Sequence, residues 1–150
     1  MQLSKFTDYS VRVLIYLAAL PPGELTNIAA VSDLYNISKN HLVKVIHKLG
    51  QLDYIETLQG KKGGIRLKMP ATEIAIGELI RTLESMRLLD CRVEACSASP
   101  ACRLKNYLAI AAENFLQELN RYTIHDLVVD NPKLQEIFFL RSEETLCEIG

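Results

Sequence analysis

Apolar residues recur at intervals of three and four through "LSKFTDYSVRVLIYLAAL", at Phe6, Val13, Leu14, Leu17 and Leu20. That spacing gathers them on one helical face and predicts a helix over residues 3–20. Pro21-Pro22-Gly23 stops it. "LTNIAAVSDLY" predicts a short second helix with Thr26 as its N-cap. The break "NISK" leads into a third helix, "NHLVKVIHKLGQL", with Ser38 as N-cap and Leu42, Val45, Ile46 and Leu49 as its buried stripe. The period then changes. "YIETLQGKKGGIRLKMP" predicts two short strands around a glycine-rich turn. Helical spacing returns over 74–85 and again, after a loop, from about Ala101 to Asn120. Thr123 is placed to cap a last short helix, "IHDLVV", and no single pattern follows Asn131-Pro132.

Helix, short helix, turn, helix, hairpin is the order of a winged helix-turn-helix. The expected fold is mainly α, with a β-hairpin wing and a long C-terminal helix, divided as 1–85 for the winged head, 86–103 for a loop and 104–150 for the helix and tail. In such folds the N-terminal residues of the recognition helix meet base edges in the major groove of double-stranded DNA. Here those are Ser38, Lys39, Asn40 and His41, with Lys44 a turn further on. Asn can make two hydrogen bonds to adenine, and Lys can bind guanine or phosphate. The wing places Lys61 and Lys62 at its tip beside two glycines, with Arg66 and Lys68 along the following strand. The competing reading of these charges is a solvated face; the helix-turn-helix pattern and a basic wing together favour DNA.

Charge sharpens that picture. Residues 1–70 carry nine Lys/Arg against five Asp/Glu, and residues 71–150 carry eight against thirteen. A basic half joined to an acidic half fits a polyanion-binding module joined to something else. At 49% hydrophobic residues the 150-residue chain can build a core without disulfides. "VLIYLAAL" is too short to span a bilayer and lacks the flanks of a signal peptide, so a cytoplasmic protein without a membrane partner is expected. There is no glycine-rich phosphate loop, flavin motif or Ser-His-Asp arrangement to mark an enzyme.

Three of the four cysteines fall in "CRVEACSASPAC", spaced C-x4-C-x5-C at Cys91, Cys96 and Cys102. In a reducing compartment clustered thiols point to metal or redox chemistry. Zinc would need a closed set of four ligands, and the nearest histidines, His47 and His125, belong to other elements. A thiol switch would leave one cysteine over; Arg92 and Arg103 would favour its thiolates. Packing as small hydrophobes suits single cysteines better than three in a polar loop. An iron–sulfur cluster accepts Cys thiolates at irregular spacing but needs a fourth ligand. Cys147, in the acidic tail, is expected to be a bystander thiol.

"FTDYSVRVLIYLA", "NISKNHLVKVIHKLGQLDYI", "GKKGGIRL" and the cysteines ending in "CRLK" together resemble the NsrR regulators. These are nitric-oxide-sensing members of the iron–sulfur winged-helix family that also holds IscR and RirA, and the likeness runs over about residues 1–130. The resemblance implies a homodimer paired through the long C-terminal helix, binding inverted-repeat half-sites. It also implies repression of nitric-oxide-detoxifying genes while the cluster is intact. It implies a 4Fe-4S centre, with 2Fe-2S as the alternative nuclearity, and matches Asp8 to the carboxylate that closes the cluster from the partner subunit. The IscR branch uses a His three residues after its last cysteine; this chain has Lys105 there, against an IscR-type site. The rival expectations are a same-fold regulator of iron, cluster or redox status, and a zinc-stabilised interaction module.

Overall fold

Four of the helices begin where a short polar side chain satisfies one of their first amides. The computed structural model describes residues 1–138. Helix α1 spans Lys5–Ala19, and Ser4 accepts from the Thr7 amide at 3.2 Å. Helix α2 spans Ile28–Tyr35, capped by Asn27 rather than Thr26. Thr26 is committed elsewhere: its backbone pairs with Ile65 of the wing through two hydrogen bonds of 3.1 and 2.8 Å, so its chain stays extended and the helix starts a residue later. Asn36 takes the left-handed conformation that ends α2, at φ 52°. Ser38 then caps α3, Lys39–Gln51, as expected.

Strands β1 (Ile55–Leu58) and β2 (Gly64–Leu67) form an antiparallel hairpin in the register Ile55 opposite Leu67. A Cβ on Gly63 would lie 2.1 Å from the Leu58 carbonyl oxygen, and one on Gly64 would lie 2.5 Å from that of Thr26. Both positions require glycine for close backbone approach. Helix α4 is shorter than its pattern, Ile76–Leu83, because Ile74 and Ala75 pair with the chain at Tyr122–Ile124 before the helix can start. Helix α5, Arg103–Leu119, follows a 3₁₀ turn at Ser99–Ala101, and α6, Ile124–Val128, carries a full capping box between Thr123 and Asp126.

The core of the head is built from Val13, Leu14, Leu17, Val31, Leu42, Val45, Leu49, Ile55, Ile65, Ile74, Leu79 and Ile124. It therefore joins α1, α2, α3, the wing and α6 in one hydrophobic cluster. The expected stripe of α3 is buried at all four positions, while Phe6 and Leu20 at the ends of α1 are only partly covered. Helix α5 docks on α4 through Gly77, where a Cβ would meet the Leu116 carbonyl oxygen at 2.1 Å. Asn120 reaches across and accepts from the Glu78 amide at 2.8 Å, supplying the N-terminal cap that α4 lacks from its own sequence. Arg81 forms a forked pair with Glu113 at 2.9 and 2.8 Å. Residues 132–138 are helical, and Phe138 packs on Tyr16 and Tyr35. Cys147 lies outside the described residues.

Candidate nucleic-acid interface and cysteine loop

Burying one face of α3 turns the other to solvent. Lys39, Asn40 and Lys44 stand exposed there, without a side-chain hydrogen bond or ion pair to another described residue. Ser38 and His41 are exposed but engaged: the Ser38 hydroxyl caps the His41 amide and lies 3.0 Å from His41 Nδ1. The His41 ring also meets Tyr9 of α1, with centroids 6.0 Å apart. At the wing tip Lys61 and Lys62 are exposed and unpaired among the described residues. Arg66 differs. It donates to Glu56 at 2.7 Å across the hairpin and to the Gly23 carbonyl at 3.4 Å. Lys68 pairs with Asp53 at 2.6 Å. Lys39 and Lys44 on α3 and Lys61 and Lys62 at the wing tip thus stand free on neighbouring elements of the head, an arrangement suited to phosphates on either side of a groove.

Sequence reasoning passed over Val43 and His47, both exposed on the outer face of α3. The signal was available: at about 100° per residue, the four apolar stripe positions place both on the opposite side.

The cysteine loop is organised by short turns. The Ala95 and Cys96 amides donate to the Arg92 carbonyl, the Ser99 amide to that of Cys96, and the Cys102 amide to that of Ser99. One longer tie closes it: the buried Ser99 hydroxyl donates to the Cys91 carbonyl, joining the loop's start to the turn before Cys102. Ser99 is a third residue the sequence did not single out. Cys91, Cys96 and Cys102 are all free and half-buried. Cys91 and Cys102 line one open cavity of about 580 Å³ with Arg92, Arg103 and Lys105, while Cys96 lies outside its lining. Cys102 occupies the N-cap position of α5, where the helix dipole favours negative charge. The three thiols suit an iron–sulfur group in kind and supply three of the four ligands it needs. Yet no three His, Cys, Asp or Glu side chains among the described residues stand close enough to hold a metal ion.

Asp8 sits in the first turn of α1 and accepts from Arg12 Nε at 2.9 Å. That hydrogen bond holds the Arg12 guanidinium still more firmly in its charged form, raising its pKa. The guanidinium also lies over the Tyr35 ring, 5.8 Å from its centroid. Burial pushes the Tyr35 hydroxyl up to about 12. A further link runs from the base of the cysteine loop to α1. Glu84, at the end of α4, accepts from the Ser4 amide at 2.8 Å. Partial burial pushes its carboxyl up, but hydrogen bonds from the Ser4 amide, the Thr7 hydroxyl and the Ser4 hydroxyl outweigh that and hold it below 4.5.

A two-stranded wing folded against three capped helices, with unpaired lysines on the outer helix, defines a winged helix-turn-helix DNA-binding protein. The sequence model of the Rrf2 family, described as an iron-dependent transcriptional regulator, matches residues 3–130, and the chain belongs to that family. Proteins of this family regulate transcription and are not enzymes. Among solved structures, Staphylococcus aureus CymR is 23% identical, with a TM-score of 0.66 over 84% of this chain and 97% of that one. T. potens IscR is 20% identical, with a TM-score of 0.70 over 90% of this chain and 91% of its own. CymR of B. subtilis, described as its global cysteine regulator, is 20% identical, with a TM-score of 0.66 over 85% and 96%. These likenesses establish the fold. No helix among the described residues is long and apolar enough to cross a membrane.

Proposed function

We propose that this Rrf2-family regulator is a homodimeric repressor of nitric-oxide-detoxification genes. In this reading Cys91, Cys96 and Cys102 hold three corners of an iron–sulfur cluster, and Asp8 of the partner subunit closes the fourth. The observation that carries the reading is the loop. Three free, half-buried thiols share one short segment, and two of them line a cavity with Arg92, Arg103, Lys105 and Glu94, in a family described as iron-dependent. When bound, the cluster supplies an iron with one oxygen ligand, which is more readily replaced than a thiolate on iron. Exposed Leu104, Tyr107 and Ile110, recurring every three residues along α5, support pairing of that helix with a second copy.

The chain's own residues account for the coupling. To serve as a ligand, Asp8 must leave Arg12. Both side chains are more than two-fifths exposed, so parting them costs at most about 1 kcal/mol. The next residue, Tyr9, touches His41 at the start of α3. A shift of α1 therefore moves the reading head directly. Two heads must meet half-sites a fixed helical repeat apart. A hundredfold change in DNA affinity needs only about 2.7 kcal/mol of coupling.

Anaerobically isolated protein is expected to be brown, with iron and sulfide in equal amounts. Replacing Cys91, Cys96 or Cys102 by Ala should each abolish the colour, and Cys147→Ala should not. Asp8→Ala should keep a cluster with an altered spectrum. Nitric oxide should release operator DNA from the loaded protein. Stoichiometric zinc without sulfide would sink the cluster reading in favour of an interaction module. Release by iron chelation or peroxide, but not by nitric oxide, would move the effector to iron or redox status.

A further inference from the structure

The side of α3 opposite its buried stripe is centred on Asn40 and His47, with Lys39 and Lys44 flanking them. One apolar residue interrupts this polar surface. Val43 is 51% exposed, three residues after Asn40 and four after Lys39. It contributes nothing to the core, which Leu42, Val45, Ile46 and Leu49 already fill from the other face. It does not help the helix either, because a β-branched side chain lowers helix propensity. Folding therefore gives no reason for Val rather than a polar residue here.

The groove that such a helix face enters presents one apolar group on its floor, the C5 methyl of thymine. The side chain at Val43 offers two methyls to it, beside an Asn whose amide can read adenine. We propose that Val43 is a specificity-determining residue that packs on a thymine methyl in the half-site, near the base pair contacted by Asn40. This rests on α3 being the DNA-reading helix and adds to it the identity of one base.

The test uses the full chain, isolated anaerobically with whatever cluster it carries. A randomised duplex pool is selected for binding, and each thymine of the enriched half-site is then replaced by deoxyuridine, which removes only the methyl. For the wild-type protein one position per half-site should lose roughly fourfold in affinity, the factor expected for one buried methyl group. The Val43→Ala protein should bind the thymine and deoxyuridine duplexes alike at that position, and Val43→Thr should show a smaller loss than wild type. The wild-type scan decides methyl dependence without any substitution. Indifference of the wild type to every deoxyuridine overturns the inference, as does an undiminished loss in Val43→Ala. Failure to enrich any duplex overturns the DNA-reading role of α3 itself, and is thereby distinguished from failure of Val43 alone.

Discussion

The winged head and the cysteine loop are built on opposite terms. In the head, helix caps, a glycine-dependent hairpin and a shared core leave Val13, Leu14, Leu42 and Leu49 wholly buried. In the loop, the hydrogen bonds are mostly turns between near neighbours, Val93 is 61% exposed, and the thiols are only half-covered. Burial decides where every functional side chain of α3 points. Nothing comparable draws Cys96 toward Cys91 and Cys102. The head carries its geometry in its own packing, whereas no comparable packing fixes the thiols of the loop relative to one another. The proposed sensing role would benefit from this division, since segments that respond to a ligand come from the less stable parts of a fold.

The largest effect should separate the two regions outright. Leu49→Ala removes a fully buried side chain from the head and should cost about 2–5 kcal/mol of unfolding free energy. Cys96→Ser in the cluster-free protein should leave the denaturation midpoint where it was. A comparable loss from Cys96→Ser would show that the loop supports the head and would break the comparison.

The next effect concerns the seam between α4 and α5. Gly77→Ala forces a Cβ against the Leu116 carbonyl and the Asn120 side chain, and should cost about 1–3 kcal/mol. Thermal melts with and without Arg81→Ala check whether the neighbouring Arg81–Glu113 pair can hold the seam. A neutral Gly77→Ala would mean that the two helices part without disturbing the head.

Within the head, base reading and phosphate contact should divide between helix and wing. Asn40→Ala should cost about 1–3 kcal/mol on the best site and relax preference at one position. Lys61→Ala and Lys62→Ala should weaken binding to all sequences, each lowering the salt slope by about 0.9. Arg66→Ala should matter less for salt dependence than either lysine, because Glu56 already holds its guanidinium. Salt titrations on selected and scrambled duplexes distinguish these outcomes.

The smallest effect lies where the regions meet. The Glu84 carboxyl is held below its ordinary 4.5, so its tie to Ser4 stabilises the fold above that value and is lost as pH falls through the lower folded-state pKa. Hydrogen exchange in the first turn of α1 should therefore rise on acidification from pH 5, and Glu84→Gln should reduce that rise. An unchanged profile in Glu84→Gln would show that other carboxylates control the turn.

Most of the head was legible in the chain because its signals are local. The stripe of α3, the Ser38 and Thr123 caps and the glycine-rich hairpin all follow from neighbours a few residues apart. The errors fall where distant backbone intervenes. Thr26 lost its expected cap role to Ile65, and α4 lost its first turn to the pairing of Ala75 with Thr123. Arg66 was legible as a basic residue of the wing, but not as the partner of Glu56, because that depends on strand register.

By itself the sequence determined the kinds of atoms available: lysines and an asparagine on one helix, three thiols in one loop, a carboxylate at the start of α1. Side-chain chemistry and short-range periodicity need no knowledge of the rest of the chain. Only the tertiary structure decided which groups are already occupied and which are touching. Tyr9 of α1 meets His41 of α3, and Glu84 at the end of α4 holds the start of α1. These are relations between surfaces brought together by burial of a common core, and a core is a property of the whole chain.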